Sequence, residues 1–172
     1  MRFSKIKEND IANGIGISLS VWTQGCPHHC GGCFNVETWN YKDGKEFKSE
    51  DLKYIIENIN RDGIDRNLSI LGGEPLCPEN VEGVIDLCKV IRKVYPKKKI
   101  YVWTGYTYED FNSIQKEITK YVDVIIDGKF EKDKKDLSLM LRGSSNQRIL
   151  KFDRNDENLP KTYPKHTEVV YE

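Results

Sequence analysis

At 172 residues the chain has the length of one domain around a single core, and its 27 basic residues balance 27 acidic ones. That balance gives no argument for nucleic acid or an anionic membrane as a partner, and no apolar run is long enough to span a bilayer. The N-terminal stretch M-R-F-S-K-I-K-E-N-D lacks the apolar segment of an export signal, so a reducing, cytoplasmic setting is expected.

Residues 1–15 are polar and read as an edge strand or loop. From 15 to 22 the chain alternates, with Ile15, Ile17, Leu19 and Val21 on one face and Gly16, Ser18, Ser20 and Trp22 on the other, the pattern of a strand. Residues 34–48 read as loop with a short helical turn. Ser49 is a good N-cap, and Leu52, Ile55, Ile56 and Ile59 follow helical spacing to about Asn60, where Asp62-Gly63 stops the helix. A short strand, 68–71, runs into Gly72-Gly73-Glu74-Pro75. Pro78 suits the first turn of a helix whose stripe is Val81, Val84, Ile85, Cys88 and Ile91. Residues 100–103 predict a third strand. Thr107 with Asp110 resembles a capping box, and Phe111, Ile114 and Ile118 form a third helical stripe. Residues 122–126 predict a fourth strand, ending at Asp127-Gly128-Lys129. The charged run 131–136 reads as a solvated face, and 147–152 as a further strand. Residues 153–166 form a polar tail, and Glu168–Tyr171 could add an edge strand.

Strand and helix alternate, which implies right-handed crossovers. The expected fold is therefore α/β: a mainly parallel sheet with crossover helices, too short for a complete barrel and so an open partial (β/α) barrel. The expected division is one domain over 1–152 and a C-terminal tail over 153–172.

The chemistry gathers at Cys26–Cys33, C-P-H-H-C-G-G-C. Three thiolates at C-x3-C-x2-C spacing can ligate three corners of a [4Fe-4S] cluster and leave one iron open to a small molecule. The same cysteines with His28 or His29 could instead hold a structural zinc. Each predicted strand ends in a turn of unusual composition: the cysteine loop, Gly72-Gly73-Glu74, Thr104-Gly105, and Asp127 with Lys129. In parallel α/β sheets these turns meet on one rim. Strand-end carbonyls, glycines and Glu74 suit a ligand ammonium. Lys129 suits a ligand carboxylate or an ion pair with Asp127. A ligand carrying both groups, and able to chelate an open iron, fits S-adenosylmethionine.

These motifs resemble the radical S-adenosylmethionine superfamily. Within it the chain is similar to the family of activating proteins of anaerobic ribonucleoside-triphosphate reductases. The resemblance rests on C-P-H-H-C-G-G-C-F-N, G-G-E-P-L at Gly72–Leu76, W-T-G-Y at Trp103–Tyr106, V-D-V-I-I-D-G-K-F at Val122–Phe130 and R-G-S-S-N-Q-R-I at Arg142–Ile149, across residues 10–152. It implies a partial barrel of the radical S-adenosylmethionine type. It also implies an oxidoreductase that cleaves S-adenosylmethionine reductively at one [4Fe-4S] cluster and generates a glycyl radical on the reductase. A low-potential donor such as flavodoxin or ferredoxin would supply the electron. By carry-over, Cys26, Cys30 and Cys33 ligate iron, and Gly32, Cys33 and Phe34 flank the S-adenosylmethionine. Gly72, Gly73 and Glu74 hold its amino end, and Thr104, Asp127 and Lys129 contact its methionyl or ribose part.

The chain departs from the wider superfamily in two places. Gly32 stands where many members have an aromatic residue, with Phe34 beyond it, and Cys77 follows G-G-E-P-L where an apolar residue is expected. Cys77 and Cys88 read as buried, unpaired thiols. A chain this short leaves the reductase to complete the site, with Arg142, Arg148, Trp39, Tyr41 and Tyr106 as candidate partner contacts. The alternatives are an activase of another glycyl-radical enzyme, a small-molecule radical enzyme, and a zinc-binding or electron-transfer module. The lack of a second cysteine cluster argues against the larger activases.

Overall fold

The structure, a computed structural model, describes residues 1–153 and 166–168. Its strands in chain order are β1 (Arg2–Asp10), β2 (Ser18–Thr23), β3 (Lys45–Glu46), β4 (Asn67–Gly72), β5 (Ile100–Trp103), β6 (Val124–Asp127), β7 (Arg148–Phe152) and β8 (His166–Glu168). The α-helices among the described residues are α1 (Ser49–Asn58), α2 (Val81–Val94) and α3 (Ser113–Glu117). All the strands form one sheet in the order β3-β1-β2-β4-β5-β6-β7-β8. No helix among the described residues is long and apolar enough to cross a membrane.

The mainly parallel sheet and the partial (β/α) barrel expected from the alternation are not what forms. Only β2–β4, β4–β5 and β5–β6 pair in parallel. The pairs β1–β2, β1–β3, β6–β7 and β7–β8 are antiparallel, so the sheet is mixed and open. Parallel neighbours need a crossover long enough to carry the chain back, usually a helix, whereas antiparallel neighbours need only a turn. Helices α1, α2 and α3 supply the crossovers for the central strands. Between β1 and β2, and between β6 and β7, there is no α-helix, and the chain simply reverses. The polar N-terminus is thus a nine-residue strand inside the sheet, paired on both sides.

The helices share one face of the sheet. Ile55 and Ile59, with Val84, Leu87 and Ile91, pack onto Leu68, Ile70, Val102 and Ile125 in the main core. The opposite face carries a small second cluster of Tyr101, Val124, Ile126 and Ile149, with Trp103 and Leu141 against it. Because side chains alternate along a strand, Ser20, Trp22, Ser69 and Leu71 also belong to this helix-free face.

Several local expectations shift. The helix expected from Ser49 starts there, but Lys48 is the cap, its N–H donating to the Asp51 carboxylate at 2.8 Å. Asn112 caps α3 instead of Thr107, exchanging hydrogen bonds with Gln115. The segment from Tyr108 to Lys120 is broken into two 3-10 turns around a five-residue helix, which leaves Ile114 outward while Phe111 and Ile118 remain buried. Ile15 and Ile17 precede β2 and are exposed; Ser18 and Ser20 are buried. Strand β8 ends at Glu168, while the tail residues 154–165 and the rest of the expected edge strand, 169–171, lie outside the described residues.

Candidate active site

A cavity of about 480 Å³ opens on the helix-free face, at the C-terminal ends of β2, β4 and β5. The strands present Trp22, Leu71 and Trp103 to it. Cys26, Cys30 and Cys33 line it together, and so do Gly72, Gly73 and Glu74, Thr104 and Phe34. These predicted residues therefore meet in one place.

The cysteine loop is tied down by main-chain hydrogen bonds. Gly25 N donates to Thr38 O (2.8 Å), Cys26 N to Trp39 O (3.1 Å) and Glu74 N to Gly25 O (2.7 Å). Gly73 must be glycine, because a Cβ there would lie 2.4 Å from Gly25 O and 2.9 Å from Thr38 O. The glycine pair thus lets the end of β4 press directly on the cysteine loop.

Glu74 is buried and its carboxylate is fully engaged. Oε1 accepts from Leu76 N at 2.8 Å and Thr104 Oγ1 at 2.7 Å, and Oε2 accepts from Gly105 N at 2.7 Å. His28 Nε2 lies 2.9 Å from Oε2, and the His28 ring packs edge-on against Tyr106. One carboxylate therefore joins the cysteine loop, the turn after β4 and the turn after β5. His28 had no role in the cluster reading of the sequence; its signal was a histidine placed inside a three-cysteine loop.

Cys26 is buried, and Cys30 and Cys33 are partly so; none is in a disulfide. Burial pushes the Cys26 thiol up, with the Glu74 charge adding to it, while the N–H groups of His28 and His29 favour its thiolate. Burial likewise raises Cys30, against the N–H of Phe130 and the charge of Lys129. Asn35 N donates to Cys33 Sγ at 3.3 Å. Main-chain N–H groups aimed at each sulfur are the surroundings that cluster-ligating thiolates need. Among the described residues no three His, Cys, Asp or Glu side chains converge as ligands of a single ion. A cluster asks for no such convergence, since each thiolate binds its own iron. The histidines that a zinc site would recruit sit elsewhere: His28 is bound to Glu74, and His29 stacks on Trp39 at 4.6 Å.

Asp127, Lys129 and Gly32 do not line this cavity. Asp127 follows Ile126 along β6 and so takes the other face, where Arg148 donates to both its oxygens and Tyr108 N to one of them. Arg148 also bridges to Glu109, and these two carboxylates hold its guanidinium well above its ordinary pKa. Asp127 and Lys129 line an adjoining pocket with Tyr106 and Asp110. Gly32 faces the Lys132 side chain. Arg142, a candidate partner contact in the sequence, lines the cavity, and its buried Nε has no hydrogen-bond partner among the described residues. Its neighbour Gln147 clamps the loop by accepting from Gly143 N and donating to Gly128 O. Cys77 and Cys88 are buried and unpaired, and burial pushes both thiols up to about 12.

A sequence-family profile described as a 4Fe-4S single cluster domain matches residues 12–150. The anaerobic ribonucleoside-triphosphate reductase-activating protein of Escherichia coli (strain K12) is 40% identical over 148 residues, spanning 86% of this chain and 96% of its own length. This chain belongs to that family. The relative of the same name from Enterobacteria phage T4 is 40% identical over 149 residues, covering 87% and 93% of the two chains. That of Pasteurella multocida (strain Pm70) is 37% identical over 155 residues, covering 88% and 98%. The family assignment makes the cysteine loop part of a 4Fe-4S domain, and the zinc reading falls away.

Proposed function

We propose that this protein activates an anaerobic ribonucleoside-triphosphate reductase by reductive cleavage of S-adenosylmethionine. Cys26, Cys30 and Cys33, which line the cavity, would hold the [4Fe-4S] cluster. A cluster held by these cysteines would supply one-electron reduction of the sulfonium, with the electron from a low-potential donor of the flavodoxin or ferredoxin class, and the products would be methionine and a 5'-deoxyadenosyl radical able to take a hydrogen atom from a reductase glycine.

The protein's own residues bind and orient. Gly73 lines the cavity, and its main-chain carbonyl is the group assigned to the ligand's ammonium. Arg142 is the one Lys or Arg among the described residues lining the cavity and supplies positive charge for the carboxylate, with Lys129, near Cys30 but outside the lining, adding to the positive field. Phe34 and the neighbouring tryptophans offer apolar faces to the adenine. Glu74 acts from behind, fixing the turns through its four hydrogen-bond contacts.

The observation that carries the reading is the convergence of three loop thiols, the glycine turn after β4 and Arg142 on one cavity. The test is anaerobic reconstitution with iron and sulfide, reduction, and assay for methionine and 5'-deoxyadenosine, with Cys30→Ala as control. Cleavage that depends on reduction and is lost in the control supports the proposal. An iron-loaded, reduced protein that leaves S-adenosylmethionine intact overturns it.

A further inference from the structure

The cysteine loop carries two adjacent histidines with opposite surroundings. His29 is exposed, takes a left-handed backbone (φ 46°) that turns the chain, and stacks on Trp39. The His28 side chain, midway between Cys26 and Cys30, is only 7% exposed. Groups from two separate turns close on its ring. Nε2 lies 2.9 Å from Glu74 Oε2 in the turn after β4, and since a carboxylate only accepts, Nε2 is the donor. Tyr106, in the turn after β5, packs edge-on at 4.6 Å. A Cβ at Gly105 would lie 2.4 Å from His28 Cδ2 and 2.6 Å from Nε2, so the ring fills the space that a side chain at 105 would need.

Glu74 does not need His28 to satisfy its charge. Leu76 N, Thr104 Oγ1 and Gly105 N already donate to its two oxygens. The carboxylate is thus a fixed point, and the His28 bond passes that fixity to the loop. The main-chain anchors at Gly25 and Cys26 hold the loop at its entry, and His28 carries the anchoring on to the stretch between Cys26 and Cys30. The ring also stands in a wall, because His28 and Gly105 line both the site cavity and the adjoining pocket of Asp127 and Lys129. Moving this stretch away from the two turns means breaking a hydrogen bond to a buried charged group, which is among the stronger kind.

We propose that His28 is a positioning residue: it fixes the cysteine loop against the turns after β4 and β5, and so sets where the cluster stands relative to Gly73 and the bound S-adenosylmethionine. The inference rests on the functional reading above. A ligand held at once by an iron and by a protein turn binds tightly only when the two are already spaced for it. Otherwise the loop must be ordered on binding, at a cost in affinity.

The experiment uses the full chain, reconstituted with iron and sulfide, with His28→Leu and His28→Gln. Leucine keeps bulk in the wall and removes the donor. Glutamine removes the ring and keeps an N–H as many bonds from Cβ as Nε2 is. Iron and sulfide content is measured first. Binding of S-adenosylmethionine is then read by equilibrium dialysis, anaerobically and without reductant so that none is cleaved. His28→Leu should keep wild-type iron content and raise the dissociation constant about tenfold or more, the size of a lost hydrogen bond to a charged group. His28→Gln should return it to within about threefold of wild type. A merely structural role would lower stability in urea and leave binding to the loaded protein unchanged, so wild-type affinity in His28→Leu overturns the proposal. So does a His28→Gln variant that binds no better than His28→Leu. If His28→Leu takes up no iron, Gly105→Ala decides, since it keeps the imidazole but drives a Cβ to 2.4 Å from Cδ2 and displaces the ring. Weakened binding with iron retained in Gly105→Ala supports the proposal; wild-type affinity there, or loss of iron in both variants, overturns it. If the loaded wild type itself binds no S-adenosylmethionine, it is the functional reading that fails.

Discussion

The Glu74→Gln substitution tests whether this carboxylate is a scaffold or a ligand. In the structure Leu76 N binds Oε1 and Gly105 N binds Oε2. A glutamine keeps one oxygen and turns the other into a donor. Whichever way the amide is placed, one fixed main-chain N–H then faces an NH2. Thr104 can rotate its hydroxyl and His28 can change tautomer, but a backbone N–H has no such freedom. A buried donor without an acceptor costs about 1–3 kcal/mol. Urea unfolding of the metal-free protein, followed by circular dichroism under anaerobic reducing conditions, should show a loss of that size with an unchanged denaturant slope. Glu74→Ala removes both acceptors and should fall further. Working without metal keeps cluster loading out of the comparison. If Glu74→Gln unfolds within about 0.5 kcal/mol of wild type, the scaffold argument is wrong. The carboxylate would then be spare for a ligand ammonium, and the affinity for S-adenosylmethionine would carry the loss instead.

Other perturbations follow from the same geometry. Gly73→Ala drives a Cβ to 2.4 Å from Gly25 O, so iron and sulfide incorporation, read from the visible absorbance, should fall well below wild type; full loading would show that the loop yields easily. Cys88→Ala should keep wild-type iron content while losing about 1 kcal/mol or more of stability through the core void, in contrast to Cys30→Ala; loss of iron in Cys88→Ala would contradict its placement in the core. Burial tends to raise the pKa of Asp10, but hydrogen bonds from Asn13, Ser20 and Ala12 outweigh it, and its carboxyl stays below the model-peptide value of 3.8. A depressed folded pKa adds stability that is fully present above 3.8 and is lost as pH falls through the folded value. The stability gap between wild type and Asp10→Asn should therefore be flat at neutral pH and shrink below about pH 4. A gap that widens on acidification would reverse that sign.

Much of the site was legible in the sequence because its parts are local. The cysteine spacing, the Gly72-Gly73-Glu74 turn and Thr104 are each set by a few consecutive residues, and all of them line the cavity. The apolar periods of α1 and α2 and the strand at 100–103 are local in the same way. What the sequence left open depends on direction. Whether a strand pairs parallel or antiparallel is decided by what the chain does between strands. The stretches before β2 and before β7, which hold no α-helix, convert an expected parallel sheet into a mixed one. Which face a residue takes depends on register: one step along β6 sends Asp127 to Arg148 and away from the cavity that Trp103 lines from neighbouring β5. The pairing of Glu74 with His28 spans 46 residues and that with Thr104 spans 30, and no pattern in the chain encodes either. The sequence by itself determined which chemistry the chain can hold, since ligands and turns are written in short runs. The tertiary structure alone decided which of those groups meet, because facing and burial are properties of the packed sheet.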